Sequence, residues 1–197
     1  MRALLDRLAS WGFIVISTQD DDAKSGKSCI QCAKYMVREN KNKDSIFYKK
    51  VDTKNIGITG QSEGGVAVLN AVTKYKSSKL FKAVCSMSND VLGSTTMQAT
   101  YNPTKIKIPT LLMAGVNGID HGCVIESTYA LINNGELTIS ARRKNTVHST
   151  CCRNCDAYMT AWFLYMLKGD QTAAKVFVGK NAEILSNDNY MLVQRKN

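Results

Sequence analysis

The chain has 197 residues with 44% hydrophobic content, two prolines and a formal net charge of +10 at pH 7. This length predicts a single domain spanning residues 1–197, and the composition excludes a disordered chain. No apolar run approaches the roughly 18 residues that span a bilayer, and the N-terminus lacks the pattern of a signal peptide.

The first predicted elements lie before residue 41. Residues 2–12 have the apolar spacing of an amphipathic helix, and the continuous apolar run at residues 13–17 predicts a strand buried on both faces of a parallel sheet. A polar loop at residues 19–27 then leads to a predicted helix over residues 28–40. Ser28 is the expected N-cap of that helix.

A glycine-rich turn follows the next predicted strand. Residues 60–64 read G-Q-S-E-G, and residues 66–72 are compatible with a helix. This strand–turn–helix context around G-x-S-x-G is typical of a nucleophile elbow. Ser62 is therefore the candidate nucleophile, and the backbone N–H of Glu63, at the helix start, is a candidate oxyanion donor. The alternative is a turn that only joins strand to helix.

The glycines of this turn have a steric explanation. Cβ atoms at Gly60 or Gly64 are expected to collide in the strained turn, whereas Gly65 is expected to let the helix pack close to neighbouring strands.

The rest of the chain alternates strands with helices. Strands are predicted at residues 81–87, 109–115 and 136–141, and helices at residues 123–133 and 156–168. Residues 89–107 are predicted to be irregular. The alternation predicts an α/β fold, with a mostly parallel sheet covered by helices on both faces.

Three candidate catalytic residues each follow a predicted strand, at the edge where such sheets carry their functional groups. They are Ser62, Asp120 and His148. A serine nucleophile needs a base and a carboxylate that orients the base, and the chain order Ser…Asp…His is the order of the α/β-hydrolases. His121 is the alternative base and Glu126 the alternative acid. Either histidine could also be a surface residue, and Asp120 a turn residue.

The charge and the cysteines leave alternatives open. Cations concentrate at residues 41–54, 74–82 and 142–144, but no nucleic-acid-binding motif accompanies them, so we expect a solvated basic surface without a specific nucleic-acid site. The seven cysteines include two CxxC pairs, at 29/32 and 152/155, which are too far apart for a ribbon-type zinc site. Disulfides and cytosolic thiols both remain open, and Cys85 is expected to be a free thiol on a buried strand.

Four segments carry a family resemblance: residues 7–15, 57–65, 108–112 and 157–170. They resemble the dienelactone-hydrolase and cutinase-like branch of the α/β-hydrolases, which includes polyester hydrolases and chlorophyllase-like esterases. The resemblance implies hydrolysis of small or polymeric carboxylic esters through an acyl-enzyme, without a metal or organic cofactor. It also implies that Ser62 is the nucleophile, His148 the base and the Glu63 N–H an oxyanion donor.

Further expectations follow from this resemblance. It implies an N-terminally shortened core, which lacks the first strands and the loop of the second oxyanion donor, and whose open sheet edge would favour a homo-oligomer. It implies a disulfide joining Cys123 to Cys151 or Cys152, and with the cysteine content it suggests secretion. Residues 88–90 stand where polyester hydrolases have a tryptophan, which favours small esters. The alternative is a catalytically weak or inactive binding protein of the same fold.

Overall fold

A single sheet organises the computed structural model, which describes residues 2–20, 23–89, 91 and 100–197. Its five strands lie side by side in chain order: β1 (Ile56–Gln61), β2 (Phe81–Met87), β3 (Thr110–Gly115), β4 (Thr138–Arg143) and β5 (Tyr190–Lys196). The first four are parallel, and β5 pairs antiparallel with β4. The mostly parallel sheet predicted from the sequence is confirmed, and β2 has its predicted bounds.

Helices cover both faces of this sheet. They are α1 (Arg2–Ser10), α2 (Lys27–Glu39), α3 (Glu63–Thr73), α4 (Ile125–Leu131), α5 (Cys151–Asn154), α6 (Asp156–Lys168) and α7 (Gln171–Phe177). Successive residues of a strand point to opposite faces, so Cys85 and Met87 join the core under α6, whereas Val84 joins the core under α3. This two-faced burial explains why every residue of β3, and every residue of β2 except Lys82, is buried. The predicted α/β fold is confirmed.

The predicted strand at residues 13–17 is wrong. This segment is irregular, with Ile14 46% and Ile16 41% exposed. Among the described residues, β1 has β2 as its only sheet neighbour, and β1 and this segment both line a cavity of about 570 Å³. An apolar run becomes a strand only with a backbone partner for its N–H and C=O groups. In the described part of the chain this segment pairs with no strand, and its Phe13 N–H donates to the Leu8 carbonyl of α1 at 3.3 Å.

The predicted cap of α2 is also wrong. Gly26 is the N-cap, with φ 74°, and Ser28 lies inside the first turn with its hydroxyl buried and without a hydrogen-bond partner in the described part of the chain. An added Cβ at Gly26 would lie 2.5 Å from the Ala67 carbonyl oxygen and 2.6 Å from the Ala71 nitrogen. Close packing of α2 against α3 therefore selects glycine at this position.

The C-terminal region closes the sheet. Gly169, with φ 69°, ends α6, and the carboxylate of Asp170 accepts hydrogen bonds from the first N–H groups of α7. In β5, Arg195 donates hydrogen bonds to the carbonyls of Phe177 and Gly179. None of the helices in the described ranges is both long and apolar enough to cross a membrane. The predicted irregular stretch 89–107 lies partly outside the described residues.

Candidate functional site

Ser62 occupies the turn between β1 and α3 in a strained conformation. Its φ of 60° and ψ of −127° belong to a region that residues other than glycine rarely adopt. The Ser62 N–H donates to the Met87 carbonyl at 2.9 Å, and the Ser62 carbonyl accepts from the Val66 N–H at 3.1 Å. Strain of this kind costs about 1–3 kcal/mol and collects at functional sites. This strained strand–turn–helix backbone is the geometry that a nucleophile elbow requires.

The elbow depends on two of its three glycines. An added Cβ at Gly60 would lie 2.3 Å from the Gly64 carbonyl oxygen, and one at Gly65 would lie 2.8 Å from the Met87 carbonyl oxygen. Both expectations are confirmed. The expected collision at Gly64 is wrong, because nothing lies within 4 Å of a Cβ there. The start of α3 therefore packs against the backbone of Gly60, whereas the side-chain position of Gly64 faces open space.

Glu63 is the first residue of α3, an eleven-residue helix. The first N–H groups of a helix have no partner within the helix and carry its positive dipole end. The backbone N–H of Glu63 therefore belongs to the helix end that follows Ser62 and favours negative charge.

The structure brings Asp120 and His148 together. Asp120 lies in a 3₁₀ turn (Gly118–Gly122) after β3, and His148 begins another (His148–Thr150) after β4. The His148 Nδ1 is 2.6 Å from Asp120 Oδ1, with Asp120 fully buried and the His148 side chain 27% exposed. A carboxylate on Nδ1 selects the tautomer whose other nitrogen, Nε2, can accept a proton. The pair has the geometry of a base and its orienting acid.

The second oxygen of Asp120 is held by groups that the sequence did not reveal. Asp120 Oδ2 accepts hydrogen bonds from the Ser88 hydroxyl at 2.7 Å and the Gly115 N–H at 2.8 Å. Ser88 is fully buried directly after β2, with φ 46°, and its N–H donates to the Met113 carbonyl at 2.7 Å. The one sign of this role in the sequence was that Ser88, a polar residue, directly follows a predicted strand. These donors stabilise the buried carboxylate.

Gln61 links the turn of Ser62 to the loop that carries His148. Its side-chain amide donates to the backbone carbonyl of His148. Because Gln61 directly precedes Ser62, this bond holds the His148 loop against the elbow. The sequence had given Gln61 no role.

The alternative site residues lie elsewhere. His121 is exposed on the acid turn. Glu126 pairs with Arg142, its Oε1 at 2.5 Å from the Arg142 Nε. Neither therefore occupies the position that Asp120 and His148 share.

All seven cysteine sulfurs are described as thiols, with Cys85 fully buried as expected. The Sγ atoms of Cys151 and Cys155 are 3.8 Å apart, too far for a bond, and this contact lowers the pKa of Cys151 while raising that of Cys155. No two of the seven described cysteines lie at disulfide distance, so the structure does not support the expected disulfide of Cys123, which stays a prediction. Within the described ranges, no group of three or more His, Cys, Asp or Glu side chains is arranged to hold a metal ion.

Comparison with known families gives one match over almost the whole chain. Residues 1–189 match the sequence model of the family described as PETase, PET hydrolase-like. A comparison with curated proteins found no match. The family match agrees with the resemblance of the four sequence segments to the polyester-hydrolase branch of the α/β-hydrolases.

Proposed function

The chain belongs to the PET hydrolase-like family, and on that premise we propose that it is a serine hydrolase that cleaves carboxylic esters through an acyl-enzyme on Ser62. Membership of this family indicates a hydrolase of esters or polyesters. The observation that carries the finer proposal is the 2.6 Å contact between His148 and the buried Asp120, on the loops that follow β3 and β4. The strained backbone of Ser62 supports its role as the nucleophile.

In the proposed acylation step, His148 Nε2 removes the proton of the Ser62 hydroxyl as the serine oxygen attacks the ester carbonyl. Asp120 keeps the Nδ1–H of the imidazole oriented and stabilises the imidazolium that forms. The Glu63 N–H donates to the oxyanion of the tetrahedral intermediate. The intermediate collapses as His148 returns the proton to the leaving alcohol, which releases the alcohol and leaves an acylated Ser62.

Deacylation repeats these steps with water. His148 Nε2 removes a proton from water, the hydroxide attacks the acyl carbon, and the proton returns to the Ser62 oxygen as the acid leaves. Both half-reactions need the imidazole to keep its position. The hydrogen bond from Gln61 to the His148 carbonyl supports this, because it holds the base loop against the elbow.

The test is hydrolysis of p-nitrophenyl acetate, p-nitrophenyl butyrate and a polyester film by wild type, Ser62→Ala and Ser186→Ala. Ser186 is an exposed serine whose hydroxyl donates to the Glu183 carbonyl of its own turn, so its variant is the matched control. We expect turnover in the wild type and the control and none in Ser62→Ala. If wild type and Ser62→Ala hydrolyse the esters equally, the proposal is wrong. If no ester is turned over, the alternative of an inactive binding protein of this fold gains support.

A further inference from the structure

Arg142 lies beneath the loop that carries Asp120. The sequence counted Arg142 with the surface cations, but only 9% of its side chain is exposed. It stands near the end of β4, and its neighbour in the strand, Arg143, points to the other face and packs over the Tyr190 ring. A buried guanidinium is costly unless its donors are used and its charge is paired.

All five N–H donors of Arg142 have acceptors. Nη1 donates to the carbonyls of Gly115 at 3.2 Å and Asp120 at 2.9 Å, and Nη2 donates to the Cys123 carbonyl. The remaining donors go to the Glu126 carboxylate, from Nε at 2.5 Å and from Nη2 at 2.9 Å. A guanidinium offers five donors in a fixed fork, so this set uses its whole capacity.

The three carbonyls belong to residues 115–123, the segment that carries Asp120 and is called the acid loop below. Gly115 ends β3, Asp120 is the acid itself, and Cys123 ends the turn. The Gly115 N–H also donates to Asp120 Oδ2. One planar group therefore fixes the first, middle and last parts of the segment that aims the carboxylate at His148.

Glu126 pairs with the guanidinium charge and holds the group in place. Its hydrogen bond and charge raise the pKa of Arg142 against the lowering effect of burial. Because Glu126 lies in α4, directly after the acid loop, the Arg142–Glu126 pair joins β4, the loop and α4.

We propose that Arg142, locked by Glu126, is a positioning residue for the ester hydrolysis proposed above, which sets the backbone of Asp120 so that its carboxylate meets His148. Arg142 acts through Asp120 and does not touch the substrate. The inference rests on the proposed function for its kinetic consequence, while its geometric consequence, the Asp120–His148 hydrogen bond, can be observed without turnover.

A simple stabilising ion pair is the competing explanation, and a double variant separates the two. Replacing both partners of a buried ion pair with apolar residues commonly restores stability. Arg142→Met combined with Glu126→Met should therefore recover part of the melting temperature that Arg142→Met alone loses. The double variant still has no donors for the carbonyls of Gly115, Asp120 and Cys123.

The experiment compares wild type, Arg142→Met, the double variant, Arg142→Lys and the control Arg195→Met. Arg195 also bridges two carbonyls, but those of Phe177 and Gly179, away from the acid loop. The measurements are the melting temperature, kcat and KM for p-nitrophenyl butyrate, and the downfield NMR resonance of the His148 Nδ1 proton, assigned by its loss in Asp120→Ala.

We expect kcat to fall about 100-fold with KM unchanged in Arg142→Met and in the double variant, because a small misplacement of a catalytic group has that effect. The Nδ1 resonance should weaken or disappear in both. Arg142→Lys should recover only part of kcat, since an ammonium lacks the fork. Arg195→Met should keep both kcat and the resonance.

The proposal is wrong if the double variant regains wild-type kcat and the resonance together with its melting temperature, or if Arg142→Met behaves like Arg195→Met. Failure of the proposed function looks different: wild type would show the Nδ1 resonance but no turnover. In that case the resonance alone decides whether Arg142 sets the Asp120–His148 geometry.

Discussion

His148 Nδ1 lies 2.6 Å from Asp120 Oδ1, although the two residues stand on separate loops that follow different strands. Those strands, β3 and β4, are parallel neighbours, so both loops leave the same edge of the sheet. The N–H groups of Val116 and Asn117 donate to the Thr146 carbonyl at 3.2 and 3.1 Å, which joins the loop of Asp120 directly to the loop of His148. The sheet and these cross-links bring the Asp120 carboxylate and the His148 ring together.

Asp120→Asn should leave the fold intact and remove most of the activity. The amide oxygen can still accept from Ser88 and Gly115, but the amide cannot stabilise an imidazolium. We expect kcat to fall by about 10⁴-fold, as for the same change in a serine protease. Steady-state kinetics with p-nitrophenyl butyrate, beside a thermal melt, checks this. A loss below tenfold in a folded variant would show that Asp120 is not the acid.

Ser88→Ala should reduce both stability and kcat. It removes a buried donor 2.7 Å from Asp120 Oδ2, which should cost about 1–3 kcal/mol in the free energy of unfolding. The matched variant is Ser86→Ala, two positions earlier and within β2, which loses a buried hydrogen bond of 3.0 Å to the Gly65 carbonyl. Urea unfolding should give similar losses for the two, with the larger fall in kcat for Ser88→Ala. Equal kcat values for Ser88→Ala and Ser86→Ala would show that Ser88 does not help to position Asp120.

Gly60→Ala and Gly64→Ala should have opposite effects. The first places a Cβ 2.3 Å from the Gly64 carbonyl oxygen and should destabilise by about 3 kcal/mol or more, since backbone has to move. The second meets open space in the first turn of α3 and should stabilise by about 0.5–1 kcal/mol. Urea unfolding of both variants is the measurement. A destabilised Gly64→Ala would contradict the described geometry of the elbow.

Alkylation of Cys29 should depend steeply on pH. Burial, and then the neighbouring Cys32 thiolate, raise the pKa of Cys29 to about 11. Because the thiolate is the reactive form, the iodoacetamide rate should rise about tenfold per pH unit from neutral pH and level off only near that value. Peptide mass spectrometry follows Cys29 separately from the other thiols. A plateau below pH 9 would mean that the thiol is more solvated than described.

The sequence predicted the elements whose signal is local. The apolar run of β2, the glycine-flanked Ser62 turn and the apolar spacing of α6 each depend on residues close in the chain. Residues 13–17 show the limit of this reasoning. An apolar run indicates a preference for burial. Strand formation also needs a neighbouring strand to pair with, and the run itself does not show whether one is present.

The hydrogen bonds that hold Asp120 could not be predicted from the sequence, because they come from residues distant in the chain. Ser88 and Asp120 are 32 positions apart, and Arg142 is 22 positions from Asp120. From composition alone, Arg142 cannot be distinguished from the other basic residues. Only the alternation of β4, which sends Arg142 towards the acid loop and Arg143 to the opposite face, separates the buried residue from its neighbour.

The most direct test of Ser62 as the activated nucleophile is intact-protein mass spectrometry after incubation with a fluorophosphonate probe. We predict one adduct per chain in wild type, located at Ser62 by peptide mapping. Labelling should be absent in Ser62→Ala and strongly slowed in Asp120→Asn. A folded wild type that takes up no probe, or a Ser62→Ala variant that is labelled at the same rate, would contradict the proposed mechanism.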